Sequence, residues 1–65
     1  MEAHSYGLAS YLIGRGFKAD GARIDTGNDR AYFNFPTATR ADATAYHAVI
    51  EYLTALERLA RKAGA

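Results

Sequence analysis

Apolar residues recur every three or four positions over the last part of the chain, which is the period of an amphipathic helix. The pattern continues without interruption from Thr39 to about Lys62. Thr39-Arg40-Ala41-Asp42 resembles a capping box with Asp in place of the usual Glu, so we expect the helix to begin there. At ~1.5 Å per residue this helix would be roughly 35 Å long, whereas a compact chain of this size is roughly 28 Å across. The helix is therefore too long for the rest of the fold.

A shorter helical pattern precedes it near the start of the chain. Leu8 and Leu12 lie one turn apart, and Ser5 is placed to cap the helix with its hydroxyl group. Gly14 and Gly16 are expected to end the helix, because glycine adopts the left-handed conformation that closes a helix. Gly7 weakens the first turn, so packing must support this element.

Between the two helices the pattern predicts an antiparallel hairpin. The first strand extends from Phe17 to Asp25, with a bulge expected at Gly21, where the inward positions change parity. Thr26-Gly27-Asn28-Asp29 is a strong turn signal, because Gly and Asn tolerate positive φ. The second strand, Arg30 to Phe35, alternates between apolar and polar positions and stops before Pro36. Seven positions of the two strands are expected to face inward: Phe17, Ala19, Ala22, Ile24, Ala31, Phe33 and Phe35.

The predicted fold class is α+β, a single α-β-β-α domain over residues 1–65 in which the hairpin packs on a short N-terminal and a long C-terminal helix. With 65 residues and no cysteine, the chain has neither disulfides nor a cysteine-based zinc site to stabilise a small core. The net charge of +1 argues against binding driven by a large basic excess. No apolar stretch approaches the ~18 residues of a membrane span, and no signal peptide is evident, so we expect a cytoplasmic protein without a membrane partner.

The apolar surface of the long helix is wider than one hairpin requires. Its large residues and one alanine spread over roughly 200°, whereas ~100–140° suffices for packing on a two-stranded sheet. A hairpin alone also leaves its edges open. We therefore expect a homo-oligomer, most simply a dimer, in preference to a monomer that clamps the helix internally. The predicted self-association residues are Tyr46, Val49, Ile50, Tyr52, Leu53, Leu56, Leu59 and Ala60.

Candidate catalytic chemistry is sparse. His4 and His47 are the only imidazoles, and His47 with Glu51 offers at most two ligands where a metal needs three or four. The serines and threonines have no adjacent histidine–acid arrangement to activate them. Gly14-Arg15-Gly16 is too short for a phosphate loop. The sequence therefore predicts no enzyme activity, no metal site and no cofactor.

The outward face of the hairpin is the best candidate binding surface. The residues predicted to form it are Lys18, Arg23, Arg30, Tyr32 and Asn34. Tyr and Arg are enriched where proteins dock, and the same residue types hold single-stranded nucleic acid by stacking and phosphate contact. We favour a protein partner over nucleic acid. Sequestration of a small nucleotide between subunits is a third possibility.

Three short motifs also resemble a known family. Ala9-Ser10-Tyr11-Leu12, Arg15-Gly16-Phe17 and Arg30-Ala31-Tyr32-Phe33-Asn34-Phe35 are similar to the A-x-Y-L, G-F and F-x-F pattern of short phage and bacterial proteins of unknown function. The resemblance covers roughly residues 5 to 36 and implies no activity. It implies an accessory protein of a mobile element, one that binds and inhibits a host protein.

Overall fold

The computed structural model describes residues 1–64, so Ala65, at which the predicted domain ends, lies outside the described residues. In chain order the elements are β1 (Glu2–Ala3), α1 (Tyr6–Gly14), β2 (Gly21–Asp25), β3 (Arg30–Asn34) and α2 (Arg40–Gly64). The three strands form an antiparallel sheet in which β3 lies between β1 and β2. The predicted α+β fold is confirmed, with one strand more than the sequence pattern indicated.

The additional strand, β1, completes the sheet on the side of β3 opposite β2. Glu2 pairs with Asn34 and Ala3 with Phe33. The amide of Phe35 extends this pairing by donating to the carbonyl of Met1 at 2.8 Å. A strand of two residues has no measurable alternation, which is why the hydrophobic pattern gave no sign of it. As a result β3 is a central strand and not the edge of a hairpin.

The first helix begins and ends as expected. The Ser5 hydroxyl oxygen accepts a hydrogen bond from the Leu8 amide at 3.1 Å. At the other end Gly16 has φ of +97°, and the Phe17 amide donates to the Leu12 carbonyl at 3.0 Å. This is the Schellman arrangement, which requires the left-handed conformation that glycine adopts without strain.

The predicted first strand was too long, and its bulge is wrong. β2 begins at Gly21, and its register with β3 is continuous from Gly21↔Asn34 to Asp25↔Arg30. Residues 17–20 form no strand, because the closing turn of α1 carries Phe17 onto the core. The parity change that suggested a bulge therefore marks the start of the strand.

The turn between β2 and β3 lies at residues 26–29 as predicted, but its positive φ is at Asp29 (56°) and not at Gly27 or Asn28. Side chains determine this geometry. Asp25 Oδ1 accepts a bond from the Gly27 amide at 2.8 Å, and Asn28 Oδ1 accepts one from the Arg30 amide at 3.1 Å. Both are Asx-type contacts, in which a short polar side chain replaces a backbone acceptor.

A small core lies where α1 covers β1 and the end of β3. Its buried members are Ala3, Leu8, Ala9, Leu12, Phe35 and Ala38. Ala43 and Tyr46 of α2 pack against it from the side. Gly7 makes this contact possible, because a Cβ at that position would overlap the hydroxyl oxygen of Tyr46. The predicted need for packing around Gly7 is thus met by one tyrosine.

The β2 side of the inner sheet face is not covered. Ala22 and Ile24 lie opposite Phe33 and Ala31, so they share the face on which the core is built. However, Ile24 remains 63% exposed, because α1 packs at the β1 side of the sheet. The predicted inward orientation places Ile24 on the correct face, but the residue is not buried.

The long helix is a single uninterrupted element. The Asp42 carboxylate accepts hydrogen bonds from the Thr39 amide at 2.7 Å and from its hydroxyl at 3.1 Å, so the predicted cap is present. No residue of α2 is buried. Its 25 residues give a length of roughly 37 Å, and the radius of gyration is 14.7 Å against about 11 Å for a compact chain of this size. We call residues 1–47 the head and residues 48–64 the tail.

Candidate interaction surfaces

The outer sheet face brings together four of the five predicted binding residues. Arg23 lies directly opposite Tyr32, and Asn34 and Arg30 follow Tyr32 at alternate positions of β3. Glu2 of β1, opposite Asn34, belongs to the same face. These residues form what we call the outer face.

An ion pair crosses above the central strand of this face. Arg23 donates from Nε to Glu2 Oε2 at 2.7 Å and from Nη2 to Glu2 Oε1 at 2.9 Å. This two-point contact joins β2 to β1, the two edge strands of the sheet. The hydrogen bond from Arg23 lowers the pKa of the Glu2 carboxyl below its ordinary value, and desolvation opposes this shift. The same bond raises the pKa of Arg23. Both pKa shifts favour the charged forms of the pair.

The aromatic ring of the outer face lies beneath this ion pair. The guanidinium carbon of Arg23 is 4.3 Å from the centroid of the Tyr32 ring, a cation–π geometry. The Tyr32 hydroxyl accepts a bond from Asn28 Nδ2 at 3.1 Å. A planar ligand that stacked on Tyr32 would first have to displace Arg23.

The remaining predicted binding residues differ in their surroundings. Asn34 Nδ2 donates to Asp20 Oδ1 at 2.7 Å, so its amide is also occupied. Arg30 and Lys18 are exposed, and within residues 1–64 their side chains make no hydrogen bond or ion pair. Lys18 lies in the connection before β2 and not in the sheet.

The sequence did not identify three residues whose side chains hydrogen-bond to Arg23, Tyr32 and Asn34. They are Glu2, Asn28 and Asp20. Asp20 and Asn28 carried only turn and edge signals in the sequence. Glu2 carried no signal, because its part in the face depends on the unpredicted strand β1. Its position is fixed by pairing with residues more than thirty positions away.

The second candidate surface is the apolar side of the tail. Six large apolar side chains are exposed there, from Val49 and Ile50 at 41% to Tyr52 and Leu59 at 64%. Leu53 and Leu56, the centre of the predicted seam, lie between these values. Ala60 is also exposed. All these predicted self-association residues lack a packing partner among residues 1–64 that would bury them.

Tyr46, the first predicted self-association residue, is used within the chain. Its ring packs on Tyr11 of α1 at a centroid distance of 5.4 Å and on His47 at 5.6 Å. It is half-buried, so it marks the point where α2 leaves the head. The exposed apolar side chains begin at the next turn. We call them the stripe: Val49, Ile50, Tyr52, Leu53, Leu56 and Leu59.

Polar side chains complete the tail. Glu57 and Arg61 form an ion pair one helical turn apart. Arg58, Arg61 and Lys62 make the C-terminal end basic, and Glu51 is the acidic residue nearer the head. The tail therefore has a charge gradient along its axis, in addition to an apolar side.

One open cleft of about 220 Å³ lies at the start of α1, lined by His4, Ser5, Tyr6, Asp29, Arg30, Ala31 and Phe33. Tyr6 partly covers Phe33 there, with ring centroids 5.5 Å apart. Within residues 1–64 no group of three or more His, Cys, Asp or Glu side chains could hold a metal ion. None of the helices in the same range is both long and apolar enough to cross a membrane.

Comparisons with protein-family models, with curated proteins and with solved structures each gave no match. The interpretation of both surfaces therefore depends on their own geometry and charge.

Proposed function

We propose that this chain is a small, non-enzymatic, cytoplasmic interaction protein that associates with itself through the tail and acts by binding another protein. The observation that carries the proposal is the row of six large apolar side chains left exposed on the tail. The resemblance of residues 5 to 36 to short phage and bacterial proteins supports an accessory role in a mobile element, with a host protein as the target. Inhibition of that host protein is part of the proposal.

The size of the exposed stripe supports self-association. Fully burying a large apolar side chain contributes about 1.5–3 kcal/mol, so covering the exposed half of one contributes about 1 kcal/mol. Two copies of the stripe together then contribute on the order of 12 kcal/mol. Association costs about 4–15 kcal/mol in lost freedom. The two quantities are comparable, so burial of this stripe can offset the cost of bringing two chains together.

The outer face supports a protein partner more than nucleic acid. Its side chains are already held by one another, and a pre-organised surface loses little entropy on binding. Tyr and Arg at its centre are the residue types that dominate protein interfaces. Its carboxylates, Glu2 and Asp25, balance its cations, Arg23 and Arg30, so it has no excess positive charge to attract phosphates. Nucleic-acid binding stays an untested prediction without additional support.

Self-association is tested by sedimentation or light scattering over a concentration series, with two matched variants. Leu53→Asp places a charge in the middle of the stripe, whereas Ala55→Asp places the same charge on the opposite side of the same helical turn. We expect wild type and Ala55→Asp to dimerise, and Leu53→Asp to be a folded monomer. A monomeric wild type at high micromolar concentration would contradict the proposal.

Binding to a host protein is tested by affinity capture from a bacterial lysate, comparing wild type with Tyr32→Ala and with Thr37→Ala as a surface control. We expect one protein to be retained by wild type and by the control but lost with Tyr32→Ala. An electrophoretic shift series at increasing salt tests the alternative. Tight binding to DNA or RNA that weakens steeply with salt would replace the protein partner by nucleic acid.

A further inference from the structure

The exposed side of the tail is built from layers of unequal size. Residues at alternating spacings of three and four follow one line along the helix. In chain order this line consists of Tyr46, Val49, Leu53, Leu56, Ala60 and Ala63. The line begins with Tyr46 at the edge of the head, has its two leucines in the middle and ends with two alanines, so its head end is thick and its C-terminal end is thin.

We infer that the occupant of this stripe is a second copy of the chain, and that its α2 lies antiparallel, with the two-fold axis between Thr54 and Ala55. The inference deepens the proposed function and rests on it. In this register Leu53 packs against Leu56 of the second copy, and Val49 against its Ala60. Tyr46, at the junction with the head, meets the small Ala63. No layer then holds two tyrosines or two alanines, and the end layers combine a larger side chain with an alanine.

A parallel pair lacks this complementarity. Each residue would meet its own copy, so Tyr46 would face Tyr46 at one end and Ala60 would face Ala60 at the other. Helices packed at one constant separation cannot fill a thin layer and accommodate a thick one at the same time. The size order along the stripe therefore favours the antiparallel arrangement.

The residues on either side of this line favour the same arrangement. Tyr52 and Leu59 lie on one side of the line, and Ile50 and Glu57 on the other. In the antiparallel pair Tyr52 of one copy lies beside Leu59 of the other, so two of the most exposed apolar side chains of the tail cover each other. In a parallel pair the Tyr52 flank would face the Glu57 flank, so Tyr52 and Leu59 would no longer cover each other. Apolar–carboxylate proximity does not distinguish the arrangements, because Ile50 lies beside Glu57 in the antiparallel pair.

Charge also distinguishes the two arrangements. Arg58, Arg61 and Lys62 of both copies would gather at one end of a parallel pair and repel one another. In the antiparallel pair each basic end lies alongside the part of the other helix that carries Glu51. The helix dipoles then also oppose each other favourably.

Antiparallel pairing places the two heads at opposite ends of a short rod. The two copies of Tyr46 are then separated by about 25 Å along the axis, given a rise of ~1.5 Å per residue. Each outer face is presented separately, so one dimer binds two target molecules or two sites on one assembly.

The chain has no cysteine, which makes disulfide trapping a clean test. Val49→Cys and Ala60→Cys are prepared separately, one of them with a mass tag, then mixed, allowed to exchange and mildly oxidised. We expect the mixed product to exceed either self-linked product on the order of ten-fold, because only the mixed pair brings the two sulfurs into one layer. Ala48→Cys, away from the stripe, is the control and is expected to give little product in any mixture.

The outcomes separate this inference from the proposed function. Strong self-linking of both Val49→Cys and Ala60→Cys would establish the parallel arrangement and overturn the inference, but would leave self-association intact. A dimeric mass without a mixed product would overturn the register in the same way. A monomeric mass for the untagged wild type would remove both.

Discussion

The head and the tail use similar residues in opposite ways. Leu12 in the head is fully buried, whereas Leu53 in the tail, on a helix of better intrinsic propensity, is 54% exposed. The difference lies in what is available to cover each helix. α1 is opposed by β1, Phe35 and the first turns of α2, whereas the tail extends beyond every other element. An apolar face thus stabilises the fold only where the chain returns to cover it.

The head has only a small core to stabilise it. The core of the head consists of only six buried side chains, three of them alanine. Domains of this length bury only about 60% of the surface that their unfolded chains expose, and they are marginally stable. The head therefore has little reserve, and a change in its core should be far more costly than the same change in an isolated tail.

The largest effect is expected from Leu12→Ala. The side chain is fully enclosed, so its loss should lower the free energy of unfolding by about 2–5 kcal/mol. In a small domain this is enough to unfold much of the population. Leu59→Ala, 64% exposed, is the matched change in the tail and should cost less than about 0.5 kcal/mol at concentrations where the chain is monomeric. Urea denaturation followed by circular dichroism measures both; equal losses would contradict the comparison.

At higher protein concentration the tail should contribute more to the stability of the protein. If the stripe is buried in a dimer, mass action adds about 2.7 kcal/mol per dimer at a hundred times the dissociation constant, or about 1.3 kcal/mol per chain. Raising the protein concentration about a hundred-fold from that constant should therefore raise the melting temperature of wild type on the order of 5–10 °C. Leu53→Asp should melt at the same temperature throughout the series. A wild type without concentration dependence would show that the tail adds nothing beyond the single chain.

The junction between head and tail should respond to Gly7→Ala. The added Cβ overlaps the Tyr46 hydroxyl oxygen, and overpacking of this kind costs about 1–3 kcal/mol. In a Tyr46→Phe background the nearest remaining ring carbon is 3.4 Å away, an ordinary contact. There the same substitution should stabilise the protein by about 0.5–1 kcal/mol, because alanine favours the helix over glycine. The absence of this sign reversal in thermal melts would refute the assigned contact.

The smallest expected effect is that of acid on the outer face. The pKa of Glu2 is lowered in the folded chain, so its pair with Arg23 contributes fully above the ordinary value of 4.5. The contribution is lost as the pH falls through the lower folded value. Glu2→Gln should therefore lower the free energy of unfolding slightly at neutral pH, where the pair is complete, and its difference from wild type should disappear as the pH falls from about 5 to about 3. Unfolding midpoints over this range test it, with Glu51→Gln in the tail as the control.

Much of the fold could be predicted from local signals. The Ser5 and Thr39 caps, the glycine that ends α1 and the turn before Arg30 all depend on chemistry within a few residues. Gly7 was recognised as a position that packing must support, although the sequence could not show that Tyr46 provides the support. That contact joins residues almost forty positions apart, beyond the reach of any periodicity.

The candidate sites show the same limit. Alternation along β3 correctly placed Tyr32 and Asn34 on one outward face with Arg23. It could not show that Arg23 covers the tyrosine ring, because the partner that holds it there belongs to β1. The tail residues were easier to identify, since exposure there follows from helix length alone. The prediction of their self-association stays open.

The two residues of β1 connect the properties of the sheet. They shield one side of β3, and one of them also holds the arginine that covers Tyr32. Peeling this segment away would turn the middle strand into an unprotected edge and uncover the aromatic ring in the same event. A fusion partner or affinity tag joined ahead of Met1 that displaces this segment is therefore expected to expose Tyr32 and to weaken the packing of α1, which lies on Ala3.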